Sequence, residues 1–299
     1  MMSTSRVFCV VGALLLLANA PGLSQPSAPT PATRMVLVDG RQIRVRTAGL
    51  ESRAARQPIV IFESGGSAPL ETWDSILPAV ATFAPLVAYD RTGTGKSPWD
   101  SLPPTPDRIV ARLRRLLATL GAAPPYLLVG HSWGGALIRY FGGTYPAEIV
   151  GMVYIDPTDL TQSRADEIAV FESIGSNAAA RDTFYTLMER AMTNAPPALR
   201  SEGAVTMAIF KQDLAERSLP TAPPVPTTVL VAGKPPVLPA SGLPFDSQRF
   251  AAASYAARLR SLRTWVREPG QFIVAANSGH MIHVTEPQLV VDAIRRFVR

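Results

Sequence analysis

An α/β architecture, with a mostly parallel central sheet and helices on both faces, is what the order of elements in this sequence predicts. Short apolar runs of strand length alternate with segments of helical spacing, the rhythm of βαβ units. One run, Tyr126-Leu127-Leu128-Val129, leads into Gly130-His131-Ser132-Trp133-Gly134-Gly135 and then into the helix-like Ala136-Leu137-Ile138-Arg139-Tyr140-Phe141. Apolar residues make up 47% of the 299 and charged residues 17%. That balance suits strands buried on both faces.

The N-terminus carries the pattern of a secretory signal. Arg6 is the only charge before the apolar run from Val7 to Ala18, and Ala18-Asn19-Ala20 offers an A-x-A cleavage site. The run is too short for a membrane span. Cleavage over residues 1–20 therefore predicts a periplasmic or secreted protein with no stable membrane span, an uncleaved anchor being the alternative. Cys9, the only cysteine, lies inside the signal, so the mature chain has no disulfide. Residues 21–34, rich in Pro, Ser, Ala and Thr, read as a flexible leader.

Met35-Val36-Leu37-Val38 meets the turn dipeptide Asp39-Gly40, after which Ile43 and Val45 alternate with Arg44 and Arg46. This is a hairpin at the edge of the sheet. Residues 58–63 form the first buried strand, 71–83 a helix and 86–90 the next strand. Thr105-Pro106 opens a helix with proline at its first position, Ile109, Leu113, Leu116, Leu117 and Leu120 keep helical spacing, and Gly121 ends it. Strands follow at 126–130 and 150–155.

The strand rhythm then stops. Residues 160–226 read as short helices separated by prolines, carrying Phe171, Phe184, Met188, Met192, Met207 and Phe210. They are expected to form a helical cap over the active site, with a helical insertion packed elsewhere as the alternative. The run Val229-Leu230-Val231-Ala232 restarts the sheet, followed by a helix over 246–265, a strand over 271–276 and a last helix over 286–298. The core is thus predicted in two parts, 35–159 and 227–299.

The net charge is +6, and 26 of the 29 basic residues are arginine. The arginines are scattered among acids, and the densest group, Arg112, Arg114 and Arg115, fits the solvated side of one amphipathic helix. Nucleic acid is not an expected partner. Gly95-Lys96-Ser97 imitates the end of a phosphate-binding loop, but the first glycine of that motif falls on Asp90, so the match fails. Asp90 and Arg91 are expected to hold their turn through hydrogen bonds and an ion pair.

Strand, G-x-S-x-G and helix in succession make a nucleophile elbow, whose flanking glycines avoid collisions across a sharp turn. Ser132 is the candidate nucleophile. It needs a base, and a group to orient that base. Three histidines are available: His131, His280 and His283. His131 sits inside the elbow and points away from its neighbour. His280 directly follows Gly279, which leaves room for the backbone on the loop after the last strand. His283 belongs to the first turn beyond that loop, partly buried or capping. His280 and His283 form H-x-x-H, but zinc needs a third protein ligand and Glu286 is the only acid suitably spaced. No metal and no cofactor are expected.

From about Met35 to the C-terminus the chain resembles the alpha/beta-hydrolase superfamily. Four blocks carry the likeness: Ile59-Val60-Ile61-Phe62-Glu63-Ser64-Gly65-Gly66-Ser67, Tyr89-Asp90-Arg91-Thr92-Gly93-Thr94-Gly95-Lys96-Ser97, the elbow, and Ser278-Gly279-His280 with Glu286-Pro287. The resemblance implies an alpha/beta-hydrolase fold and places the base at His280. Many members carry the acid after the penultimate strand. Here that loop begins Gly233-Lys234-Pro235-Pro236 and has no acid before Asp246. Part of the superfamily places it where Asp156 ends the strand Met152-Val153-Tyr154-Ile155. Asp156 is favoured over Asp246, with Asp159 third; an Asx-type turn into Pro157 is the structural alternative for Asp156. The oxyanion hole is expected from the backbone N–H of Trp133, after the nucleophile, and from the Ser64-Gly65-Gly66-Ser67 loop, where the spacing to Trp73 in the family pattern implies the N–H of Gly66.

These assignments predict a serine hydrolase that cleaves a carboxylic ester of a small molecule with an apolar acyl or aromatic group. A prolyl aminopeptidase-like enzyme is a rival within the class and would need cap acids such as Glu167, Glu172 or Glu189 aimed at the substrate amine. Lactone or carbon–carbon bond hydrolysis also suits the scaffold. A non-catalytic binding protein is the rival from another class.

Overall fold

The computed structural model describes residues 29–236 and 242–298. The expected signal and most of the leader lie outside the described residues. Ala32–Val38 form β1, so the last residues assigned to the leader already belong to the sheet. The remaining strands are β2 (Arg41–Ala48), β3 (Ile59–Glu63), β4 (Leu86–Tyr89), β5 (Tyr126–His131), β6 (Ile149–Ile155), β7 (Thr227–Ala232) and β8 (Phe272–Ala275). They form one eight-stranded sheet in the order β1-β2-β4-β3-β5-β6-β7-β8. β1 and β2 are the antiparallel edge, and every pairing from β4 to β8 is parallel. Asp39 and Gly40 both take positive φ, 49° and 73°, as the tight hairpin between β1 and β2 requires.

The helices are α1 (Leu77–Ala81), α2 (Pro106–Thr119), α3 (Trp133–Thr144), α4 (Arg164–Ser173), α5 (Ala178–Ala191), α6 (Pro197–Lys211), α7 (Ser247–Arg263), α8 (Ile282–Thr285) and α9 (Pro287–Arg295). The single helix expected over 71–83 is two pieces, a 3-10 turn at Leu70–Trp73 and α1. Pro78 has no N–H for an unbroken ladder and instead occupies the first turn of α1. Pro287 separates α8 from α9 in the same way.

Alternation along β3 shows how the sheet buries both faces. Ile59 and Ile61 join a cluster with Leu113, Leu116 and Leu117 of α2 and Leu137 and Phe141 of α3. Val60 and Phe62 join Leu77 and Val80 of α1 with Val290 and Ile294 of α9 on the other side. The outer arginines of α2 meet acids: Arg112 pairs with Asp100, Arg114 with Glu148 and Arg115 with Asp39.

Helices α4 to α6 fill the interval between β6 and β7, where the strand rhythm stops in the sequence. Phe171 and Ala180 of this segment are buried together with Phe250 of α7. Ile209 and Phe210, at the end of α6, pack against the main core. Among the described residues no helix is long and apolar enough to cross a membrane.

Candidate active site

Strand order places the site. The chain leaves β3 for β4 on one side, while β5 lies on its other side. Ligands of open α/β sheets bind beyond the carboxyl ends of strands at such a reversal. Register aligns Glu63 with Gly130, and His131 with Ile155, so the residues following β3, β5 and β6 emerge at one edge.

Ser132 follows β5 with φ 53° and ψ −122°, the strained left-handed side of the map for a residue with a side chain. The turn is tight enough that a Cβ on Gly130 would lie 2.5 Å from the Gly134 carbonyl oxygen. A Cβ on Gly134 would lie 2.1 Å from the carbonyl oxygen of Glu63. Ser132 is tied to the end of β6 and the turn after it: its N–H donates to Ile155 O at 3.1 Å, and its carbonyl accepts from Thr158 N at 2.9 Å. Asp156 also has positive φ, 42°, and so does Ser67, at 54°. Three of the seven non-glycine residues with positive φ among the described residues thus gather at one sheet edge.

His280 Nδ1 lies 2.6 Å from Asp156 Oδ2. The other carboxylate oxygen accepts from Arg258 Nη2 at 2.8 Å and from Ala232 N at 3.0 Å. Burial opposes the charge on Asp156, but the His280 hydrogen bond, the Arg258 charge and the Ala232 amide outweigh it and hold the carboxyl at about 2. An ionised carboxylate only accepts, so the proton between the two groups sits on His280 Nδ1. Nε2 is then the free basic nitrogen, on a half-exposed side chain.

The other acids are elsewhere. Asp246 caps α7, accepting from Gln248 N and Arg249 N at 2.9 and 3.0 Å, and is exposed. Asp159 accepts from the N and Oγ1 of Thr161. Gly279 does not hold its place for lack of room, because a Cβ there would meet nothing within 4 Å. The His280 loop is instead held by Glu286, whose Oε2 accepts from Asn277 N and Ser278 Oγ.

His131 and His283 are buried behind the site. His131 Nε2 is 2.9 Å from the His280 carbonyl, which ties the elbow to the histidine loop. His283 Nε2 is 2.9 Å from Thr72 Oγ1, and the residue is fully buried rather than partly so. Burial, with the neighbouring histidines, pushes His131 down to about 4 and His283 to about 3. Both are neutral at physiological pH. Among the described residues no group of three or more His, Cys, Asp or Glu is arranged to hold a metal ion.

The Gly66 and Trp133 N–H groups donate to no backbone acceptor among the described residues. A Cβ on Gly66 would lie 3.9 Å from Trp133 Cβ, so the two backbones are adjacent. Trp73 donates from Nε1 to Ser64 Oγ at 2.9 Å and anchors the start of this loop. Asp90 holds its own turn, accepting from Leu70 N at 2.7 Å and Lys96 N at 2.9 Å, and pairs with Arg44. Arg91 faces the other way, to Glu63, Glu202 and the carbonyls of Ser64 and Gly65.

The sequence profile of the alpha/beta hydrolase family matches residues 59–293, which span Ser132, Asp156, His280 and the Gly66 loop. The chain belongs to that family. A curated relative, the uncharacterized protein YqjL of Bacillus subtilis, is 27% identical over 79% of this chain and 81% of its own length. Lipase LipV of Mycobacterium tuberculosis is 38% identical over 85 residues, 28% of this chain and 32% of the lipase. A haloalkane dehalogenase loop variant, DbeA-M1 from Bradyrhizobium elkanii, superposes with a TM-score of 0.62 at 17% identity. It covers 90% of this chain and 96% of its own, a likeness of fold.

A cavity of about 280 Å³ lies beside the segment between β6 and β7. Phe171 of α4, Phe184 and Tyr185 of α5 and Phe210 of α6 line it, with Phe250 and Arg258 of α7. Arg258 and Glu202 were not among the residues expected at the site, yet each carries a signal. Arg258 falls on the helical face of Ala251, Tyr255 and Leu262, and Glu202 on that of Ala198 and Ile209. A charge on an apolar helix face needs a buried partner.

Proposed function

We propose that this hydrolase is a secreted or periplasmic serine hydrolase that cleaves a carboxylic ester through an acyl-enzyme on Ser132. The observation that carries the proposal is the His280–Asp156 pair, 2.6 Å apart, on loops bonded to the strained Ser132 elbow. Ser132 Oγ attacks the ester carbonyl carbon while His280 Nε2 takes its proton. Asp156 holds the Nδ1–H and stabilises the imidazolium that results. The Trp133 and Gly66 N–H groups receive the oxyanion. Collapse expels the alcohol, which takes the proton from His280. Water, deprotonated by the same nitrogen, attacks the acyl carbon; the bond to Ser132 Oγ breaks, His280 returns the proton to that oxygen, and the carboxylic acid leaves. The signal pattern in residues 1–20 supports the location.

The aromatic lining of the cavity beside Arg258 supports an apolar acyl or aromatic group. The acids that an aminopeptidase would need are otherwise engaged or exposed. Glu167 binds Arg181, Arg217 and Tyr185, Glu189 pairs with Lys211, and Glu172 is exposed. The carboxylic ester is therefore preferred over an N-terminal prolyl amide.

The deciding experiment is intact-mass spectrometry after fluorophosphonate treatment, with peptide mapping. One adduct per chain on Ser132 is expected, together with turnover of p-nitrophenyl esters. A folded protein that takes no adduct, or a Ser132→Ala protein with undiminished turnover, would leave a binding protein as the better account.

A further inference from the structure

Arg91 is buried, and each of its three guanidinium nitrogens has a partner. Nε donates to Glu202 Oε1 at 2.9 Å, and Nη2 reaches the same oxygen at 2.8 Å. Nη1 donates to Glu63 Oε1 at 2.7 Å and to Ser64 O at 2.8 Å. Nη2 also donates to Gly65 O at 2.6 Å. The remaining oxygen of Glu63 accepts from Tyr89 OH at 2.5 Å. The remaining oxygen of Glu202 accepts from Ser67 N at 2.5 Å and Ser67 Oγ at 3.0 Å. Each carboxylate oxygen and each guanidinium nitrogen has a partner.

This network surrounds one peptide. The Gly65 carbonyl and the Gly66 N–H belong to the same plane and point in opposite directions. Fixing the carbonyl on Arg91 fixes the direction of the N–H. The residue on the other side, Ser67, has φ 54°, a conformation that needs external support, and Glu202 binds both its N–H and its hydroxyl. Glu202 is 135 residues away in sequence, in α6 of the segment that covers the sheet edge.

We infer that Arg91 and Glu202 are positioning residues for the oxyanion hole, and that Glu202 makes the aim of the Gly66 N–H depend on where α6 sits. The inference rests on the serine hydrolase proposal for its consequence, but not for the coupling itself. Neither side chain touches the reacting atoms. α6 docked on Ser67 and Arg91 holds the donor in place; α6 displaced frees Ser67 to leave its strained conformation and takes the Glu202 carboxylate from Arg91, which loosens the hold that Arg91, beside Ala68 N at 3.2 Å, has on the Gly65 carbonyl. An enzyme built this way completes its oxyanion hole only with α6 in place. Lysine at 91 would keep the charge between the two carboxylates, but as a point donor it cannot hold two carbonyls and both acids.

The test compares the full chain with Glu202→Gln, Arg91→Lys and the milder Ser67→Ala. Two readouts are taken: hydrogen exchange of the 64–68 backbone, and kcat and KM for p-nitrophenyl butyrate. The expected result for Glu202→Gln and Arg91→Lys is faster exchange, by roughly 10-fold or more, confined to that loop. It comes with kcat lower by roughly 10- to 100-fold, KM within about 3-fold and an unchanged fluorophosphonate site. Ser67→Ala loses one of the two Glu202 contacts and should show the same pattern at smaller amplitude. Unchanged exchange in all three variants overturns the coupling. Faster exchange with unchanged kcat overturns the positioning role. A wild-type protein without turnover or adduct at Ser132 defeats the hydrolase proposal instead, and exchange in the variants still decides the coupling.

Discussion

Arg258 and Asp156 are joined at 2.8 Å, Nη2 to Oδ1, on the carboxylate oxygen that His280 does not use. Arg258 also donates to Pro157 O at 3.0 Å, so it holds the strand end as well as the acid. The carboxylate thus has its charge matched and its rotation blocked before His280 binds. Under the proposed mechanism, Arg258→Met leaves Asp156 with Ala232 N alone at that oxygen. The expected outcome is kcat reduced by roughly 10-fold, with the Ser132 adduct still formed. Undiminished kcat in a folded Arg258→Met protein would mean that His280 and the Ala232 amide suffice.

The two candidate acids separate under one assay. Asp156→Asn keeps the shape but can no longer take only the accepting role opposite His280 Nδ1, and a loss of roughly 10³- to 10⁴-fold in kcat is expected. Asp246→Asn should leave turnover within about 2-fold, because asparagine caps a helix nearly as well as aspartate. The reverse ranking would displace Asp156 from the mechanism.

The fold and the elbow were legible because both rest on local patterns. Strand runs, the Asp39-Gly40 turn and the glycines around Ser132 each state a backbone requirement in sequence. The groups that hold the site are legible only in part, because their partners are remote. Nothing near Asp156 announces Arg258, 102 residues on, and nothing near Ser67 announces Glu202. What the sequence does carry is a charged residue on an otherwise apolar helix face, which implies a buried partner without naming it. The expectation that Gly279 makes room for the backbone failed for a related reason: a glycine reports freedom, and only packing tells whether it is needed.

That distinction gives a prediction for two glycines near the site. Gly134→Ala would put a Cβ within 2.1 Å of Glu63 O and 2.6 Å of Ser64 O, backbone atoms that a flexible neighbour cannot relieve. A loss of roughly 3 kcal/mol or more in unfolding free energy is expected by chemical denaturation. Gly279→Ala meets open space and should change stability by less than about 0.5 kcal/mol. Equal costs would mean that helix α3 is not seated as closely on β3 as described.

The aromatic cavity predicts acyl preference. Phe184 packs against Phe171, Phe245 and Phe250 with ring centroids 5.3 to 6.5 Å away. Phe184→Ala should extend the cavity and move the best p-nitrophenyl ester to a chain several carbons longer, each methylene counting for about 10-fold or more in kcat/KM. A profile across acetate, butyrate and octanoate that keeps its shape would place the acyl group elsewhere.

Acid sensitivity follows from the buried histidines. His131 and His283 are held at about 4 and about 3, against 6.5 for an unperturbed imidazole. Between pH 6.5 and 4 the unfolded chain therefore binds more protons than the folded one, and stability falls as pH falls. Their contribution is whole above 6.5 and is lost by the time pH has passed the folded values, of the order of 3 kcal/mol for His131. Asp156, held at about 2 against 3.8, acts in the same direction at lower pH, below 3.8. Denaturant midpoints measured at pH 7.5, 6 and 5 should decrease in that order. In His283→Gln the decrease should be shallower, because one of the two groups that must stay neutral is gone and the glutamine can still meet Thr72 Oγ1. A slope identical to wild type would show that His283 takes up its proton without cost, and hence that its ring reaches water.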